Sequence, residues 1–191
     1  MSTKNIMITG VGGQGTLLAV RILAHIVQEL GYDVKVSEVH GMSQRGGSVV
    51  TYLKYGDKVY SPIIGLGEAD TILSFEKLEA LRCLPYLREG GEIIVNDQEI
   101  DPMPVITGAM EYPSDIEETL KAHAKVRLVK ALELAQEAGN PRTANVVLLG
   151  AMAAAGNIPK EHWTDALKAT VPAKFMDVNL KAFDLGYNSV S

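Results

Sequence analysis

The chain is poor in cysteine, with Cys83 the only one in 191 residues. One thiol cannot close an internal disulfide, form a CxxC redox pair or supply the roughly four thiolates of an iron-sulfur cluster. Any electrons handled by an assembly containing this protein must therefore sit on another chain. Blocks of like charge are also missing: the net charge of -5 comes from scattered acids. No Lys/Arg cluster marks a face that could neutralise a run of phosphates, which speaks against nucleic acid as a partner. The longest apolar run, Val146 to Ala155, falls well short of the roughly 20 residues that cross a bilayer, so it reads as a buried helix and no membrane span is expected. The opening MSTKNIMITG passes from a polar start straight into a strand, without the apolar stretch of a secretory signal, and points to the cytoplasm.

What is present is an ordinary globular composition, 47% hydrophobic and 21% charged, in a length that suits one domain over residues 1–191. Asn5 to Thr9 is a short apolar run ending at Gly10. The periodic stretch Gln14 to Leu30 then reads as a largely buried helix stopped by Gly31, and Asp33 to Val39 as a second strand. A polar loop follows. The β-branched and tyrosine residues from Val49 to Tyr55, a turn at Tyr55 to Lys58 and a further extended piece predict an inserted β-hairpin. Ala69 to Ser74 predicts a strand, Glu76 to Arg88 a helix, and Glu92 to Asn96 a strand. Val105 to Thr107 predicts a short strand, Asp115 to His123 a helix opened by a Ser114/Glu117 capping box, and Lys125 to Val129 a last strand. The remainder is helical, with breaks at Gly139 and Gly156. Strands alternating with helices predict an α/β, Rossmann-like three-layer fold with a mainly parallel sheet, the inserted hairpin and a helical C-terminal part.

Two glycine loops carry the chemistry. Gly10-Val11-Gly12-Gly13-Gln14-Gly15 satisfies GxGxxG directly between a predicted strand and a predicted helix. Gly10 permits the tight turn, Gly12 a close approach to the helix N-terminus, and Gly15 close helix–strand packing. Glu38 follows at about the spacing of roughly 20 residues at which an acid receives ribose hydroxyls. Read alone, this is the pattern of a stand-alone NAD-dependent enzyme or a nucleotide-binding module. The same glycines serve equally as a packing turn that docks another chain.

The second loop, His40-Gly41-Met42-Ser43-Gln44-Arg45-Gly46-Gly47, sets hydroxyl, amide and guanidinium groups between glycines at the carboxyl end of a strand, where open α/β sheets bind ligands and partners. It also lies where an adenosine would sit. Arg45 offers a planar fork for a carboxylate or phosphate; the bland alternative is an ordinary polar surface turn. His25, His123 and His162 have no metal-ligand spacing, and no serine sits in a nucleophile elbow, so no metal site and no nucleophilic triad is expected. Asp97 and Glu99 follow a strand end and read either as a polar cap on the sheet or simply as a solvated pair of acids.

GVGGQG, EVHGMSQRGGSV, GNPRTANVVLLGA and NLKAFDLGY, in that order and over nearly the whole chain, resemble the gamma-type domain of 2-oxoacid:ferredoxin oxidoreductases. HGMSQRGG is similar to the form carried by the beta subunits of the indolepyruvate branch. The resemblance implies a two-subunit enzyme whose large alpha chain holds thiamine diphosphate, Mg and 4Fe-4S clusters. That enzyme would convert an aryl pyruvate such as indolepyruvate to an acyl-CoA, with coenzyme A as co-substrate and ferredoxin as electron acceptor. This chain would bind no cofactor and would be inactive alone. The family's glycine turn falls on Gly10, Gly12, Gly13, Gln14 and Gly15, and its RGG loop on Arg45, Gly46 and Gly47. The two loops are expected to meet at the carboxyl edge of the sheet and face the alpha chain. Gln14, Ser43, Gln44 and Arg45 would support the substrate or coenzyme A end, with Gln14 and Arg45 the candidates for a supporting catalytic role. The all-apolar stretch Val146 to Ala155 is either core or a contact with a partner, a homodimer contact included.

Overall fold

A computed structural model describes residues 3–41 and 46–190. Met42, Ser43, Gln44 and Arg45 lie outside the described residues. Among the described residues six strands form one sheet in the order β2-β3-β1-β4-β5-β6: β1 (Lys4–Val11), β2 (Asp33–His40), β3 (Ser48–Gly56), β4 (Ala69–Ser74), β5 (Leu87–Asn96) and β6 (Lys125–Val129). β1, β4, β5 and β6 are parallel, and β3 runs antiparallel to both of its neighbours. The inner parallel strands β1 and β4, and β5 from Gly91 onward, are largely buried and read as apolar runs, whereas β6 at the edge keeps Lys125 and Arg127 half-buried or exposed. In β5, Ile94 faces one side, while Ile93 and Val95 face the other.

Among the described residues there are eight helices, seven of which cover the sheet. α1 (Thr16–Glu29), α5 (Ala131–Ala138), α6 (Ala144–Ala155), α7 (Lys160–Thr170) and α8 (Met176–Asn188) share one core with Ile6, Ile8 and Ile94. α2 (Lys77–Cys83) and α4 (Ile116–His123) share the other with Met7, Ile72 and Ile93. The short α3 (Met103–Ile106) lies between β5 and α4. This is the three-layer α/β arrangement with a helical C-terminal part.

Four local expectations differ. The inserted hairpin is β2–β3, turned by the polar loop, and β3 slots between β2 and β1. The chain from Asp57 to Glu68 makes no strand, because the Val59 amide is taken by Asp33 Oδ2 at 2.9 Å and Pro62 has no amide to offer a ladder. The helix expected to reach Arg88 stops at Cys83, where Pro85 converts the next residues to a 3-10 turn. Val105 to Thr107 lies at the end of α3, not in a strand; Pro102 at its N-cap and Pro104 in its first turn fix helix-compatible φ. Asp115, not Ser114, caps α4, without a side-chain bond, so no capping box forms.

α6 settles its alternative by its position. Asn145 to Ala153 are all buried, between α5, α8 and the sheet. A Cβ at Gly150 would lie 2.1 Å from the Phe183 carbonyl oxygen, and one at Gly186 would lie 1.9 Å from that of Val147. The two helix backbones touch there, so the apolar run is core.

Candidate functional site at the carboxyl edge of the sheet

β1 leads through α1 on one face and β4 through α2 on the other. The connections after two neighbouring parallel strands therefore diverge, and such a divergence opens a crevice at the carboxyl ends of the strands. The glycine turn lies on one side of that crevice, and Phe75 and Glu76 on the other.

The turn is tightly determined. A Cβ at Gly10 would lie 2.8 Å from both Phe75 Cβ and Gln14 Oε1, and Gly15 caps α1 at φ 83 with Asn145 Nδ2 2.7 Å from where its Cβ would be. Asn145 donates to the Gly15 carbonyl at 3.2 Å and accepts from the Val146 amide at 2.9 Å, tying the third motif to the first. Gly12 does not present its amide to a ligand. Its N–H donates to the Gly47 carbonyl at 2.8 Å, and its carbonyl accepts from Gly46 N–H at 3.3 Å. These bonds extend the β1–β3 ladder, whose last pair is Val11 with Ser48, through both glycine loops.

Gln14 fills the crevice. Its Oε1 accepts from Val11 N–H at 2.7 Å, and its Nε2 donates to the Phe75 carbonyl at 2.9 Å and to Gln98 Oε1 at 3.2 Å. Both amide hydrogens are thus committed inside the protein. Asn96, 2% exposed, completes the network by donating to the Phe75 carbonyl and Gln98 Oε1 and accepting from Ala131 N–H. A nucleotide would have to displace this set of amides, of which Asn96 is buried and Gln14 and Gln98 are half-buried, leaving hydrogen-bonding groups unpaired. Sequence reasoning missed Asn96, Gln98 and Asn145. The signal was the polar run Asn96 to Glu99 at a strand end: Asn96 and Gln98 join the network, while Asp97 and Glu99 hold Lys77 Nζ at 3.1 and 2.6 Å.

The outgoing stem of the second loop is anchored separately. Ser48 donates its hydroxyl to Glu79 Oε2, and Arg82 Nη1 meets Glu79 Oε1 at 2.9 Å. Burial pushes the Glu79 carboxyl above its usual range; the Ser48 hydroxyl and Arg82 pull it down, and nearby Glu76 adds to the rise.

A family model for pyruvate ferredoxin/flavodoxin oxidoreductases matches residues 5–189. The chain is 47% identical to the indolepyruvate oxidoreductase subunit IorB of Pyrococcus horikoshii, over 97% of this chain and 95% of that one. The chain belongs to this family. The ketoisovalerate oxidoreductase subunit VorA of Methanothermobacter marburgensis is 30% identical, with 95% of this chain covering 35% of that longer one. Among solved structures, the gamma subunit of a keto/oxoacid ferredoxin oxidoreductase from Geobacter sulfurreducens superposes with a TM-score of 0.73, at 25% identity and 98% coverage of both chains.

The remaining predicted residues fall around this family domain as follows. Of the loop residues, Gly46 and Gly47 join the glycine turn, and Ser43, Gln44 and Arg45 lie outside the described residues. Glu38 is exposed on the edge strand β2, one strand further from the glycine turn than a ribose-binding acid requires, because β3 intervenes. Cys83 is buried, and desolvation pushes its thiol up to about 11, so it stays protonated. His123 is exposed, while His25 and His162 are half-buried. A cleft of about 630 Å³ opens at the opposite, amino edge, where Tyr32, Tyr55 and Trp163 line it, away from both loops. No described helix is long and apolar enough to cross a membrane.

Proposed function

We propose that the chain is the small, gamma-type subunit of a cytoplasmic indolepyruvate:ferredoxin oxidoreductase and that its glycine-loop edge docks onto the large subunit. The observation that carries this is the backbone pairing of Gly12 with Gly46 and Gly47. It spends on the protein's own loop the amide that a nucleotide would need, and it fuses two glycine loops into one surface. The identity to IorB supports the aryl-pyruvate branch. The VorA match supports the docking, since there the same region is one part of a longer polypeptide.

In this reading thiamine diphosphate, Mg and 4Fe-4S clusters belong to the large chain, where they supply decarboxylation and electron transfer. Cys83, the chain's one cysteine, falls short of the roughly four thiolates that a cluster needs. What this chain contributes is position. Gln14, committed within the turn, holds its shape and acts as a positioning residue. Ser43, Gln44 and Arg45, between Gly41 and Gly46 in the sequence, would meet the substrate or coenzyme A end of the shared site, with Arg45 pairing with a carboxylate or phosphate.

Arg45→Ala in the co-expressed complex is expected to lower turnover about tenfold or more, the loss of one charge-assisted pair, or to abolish copurification. Wild-type turnover together with wild-type copurification overturns the role of Arg45.

A further inference from the structure

One element of this edge has no part in the loops just described, the stretch between β5 and α4. It leaves the sheet at Gln98, whose side chain meets Gln14. Both ends of the stretch are tied to one carboxylate: Glu76 Oε1 accepts from Ile100 N–H at 3.2 Å and from the Tyr112 hydroxyl. Glu76 is itself 1% exposed and caps α2, so the base is fixed in the core.

Between the ties the backbone satisfies itself. Ala109 N–H donates to the Pro104 carbonyl and Gly108 N–H to that of Val105, both at 2.9 Å, with Gly108 at φ 74. This double bond pattern closes α3 as a Schellman motif. The arm thus holds its shape without burying its apolar side chains: Met103, Ile106 and Met110 are 66%, 65% and 65% exposed. Their surroundings are acidic. Asp101, Glu111, Asp115 and Glu118 are exposed, none is paired with a cation among the described residues, and no lysine or arginine occurs from Gly91 to Leu120.

We propose that residues 100–112 form a docking arm for the large subunit, with Met103, Ile106 and Met110 entering an apolar groove whose rim is basic. This rests on the subunit reading above. The arm's base is continuous, through Gln98 and Gln14, with the edge assigned to that subunit. Its acid border calls for a cationic rim, which a second copy of the same acidic arm cannot supply. Methionine's flexible thioether suits an anchor that settles into a groove of another chain's making.

The test measures affinity of the full chain for the large subunit. Met103→Ser/Ile106→Ser/Met110→Ser is expected to weaken association by roughly a hundredfold or more, leaving the lone chain's circular dichroism and thermal midpoint unchanged because these side chains are exposed. Asp101→Lys/Glu111→Lys is expected to weaken association at low salt, by a factor that shrinks at high salt. Wild-type affinity of the triple serine variant overturns the arm, as does a triple variant that only dissolves a homodimer. No binding by the wild-type chain overturns the subunit reading beneath it.

Discussion

Gln14 commits its side-chain amide to Val11 within the turn and to Phe75 and Gln98 across from it, so replacing it acts on the turn and its anchorage first. Gln14→Ala strands Val11 N–H and one bond to Phe75, and is expected to cost about 1–3 kcal/mol in urea unfolding. Gln14→Glu should not rescue it, since a carboxylate has no hydrogens for Phe75 and Gln98; wild-type stability in either variant contradicts this role. Glu79 reports through pH. Its folded pKa lies above the ordinary 4.5, raised first by burial, so the folded state binds the proton more tightly and the cost of burying the charge appears as pH rises through the range just above 4.5. The stability of the wild type relative to Glu79→Gln is therefore expected to fall across that range in denaturant titrations at successive pH values; a flat or rising difference refutes it. Cys83, pushed up to about 11 and buried, should resist a thiol reagent at pH 8 in the native state and react once unfolded. Prompt native labelling would place it elsewhere.

At the scale of elements, the sequence pattern was most legible where burial is one-sided or complete. The glycine-bounded helices α1, α5 and α6, the strands β1 and β4 and the second half of β5 follow from apolar runs or periodicity read together with the glycines that end them; β5 starts five residues earlier than expected, at Leu87. What failed was partner choice. Nothing local says that β3 pairs with both β2 and β1, because the register is set by residues far apart in the chain. Pro85 and Pro104 mattered more than the apolar spacing around them. The α6–α8 crossing was likewise hidden, since Gly150 meets Phe183 and Tyr187, and Gly186 meets Val147, only in space. Gly150→Ala and Gly186→Ala are each expected to destabilise the chain by about 1–3 kcal/mol or more, because a methyl group would have to enter backbone. An unchanged thermal midpoint in either variant means that the helices do not cross as described.

At the scale of the molecule, the four stretches that carry the resemblance are also places where distant parts of the chain touch. The glycine turn pairs with the RGG loop, Asn145 reaches Gly15, and Gly150 meets the last helix. The first loop was visible as GxGxxG, yet its local form fits a nucleotide equally well. The contact of Gly12 with Gly47, the amide network around Gln14 and the placing of Glu38 beyond β3 decide against that use, and contacts across such separations have no signature in a window of sequence. The polar run Asn96 to Glu99 was visible too, but not which of its side chains turn inward. The account as a whole therefore stands on assembly. Co-expression with a candidate large subunit tests it most directly, by ferredoxin reduction with indolepyruvate and coenzyme A. It predicts that the two chains copurify as a brown complex active only when both are present. A lone chain that binds NAD(H) saturably and turns over substrate unaided would contradict it.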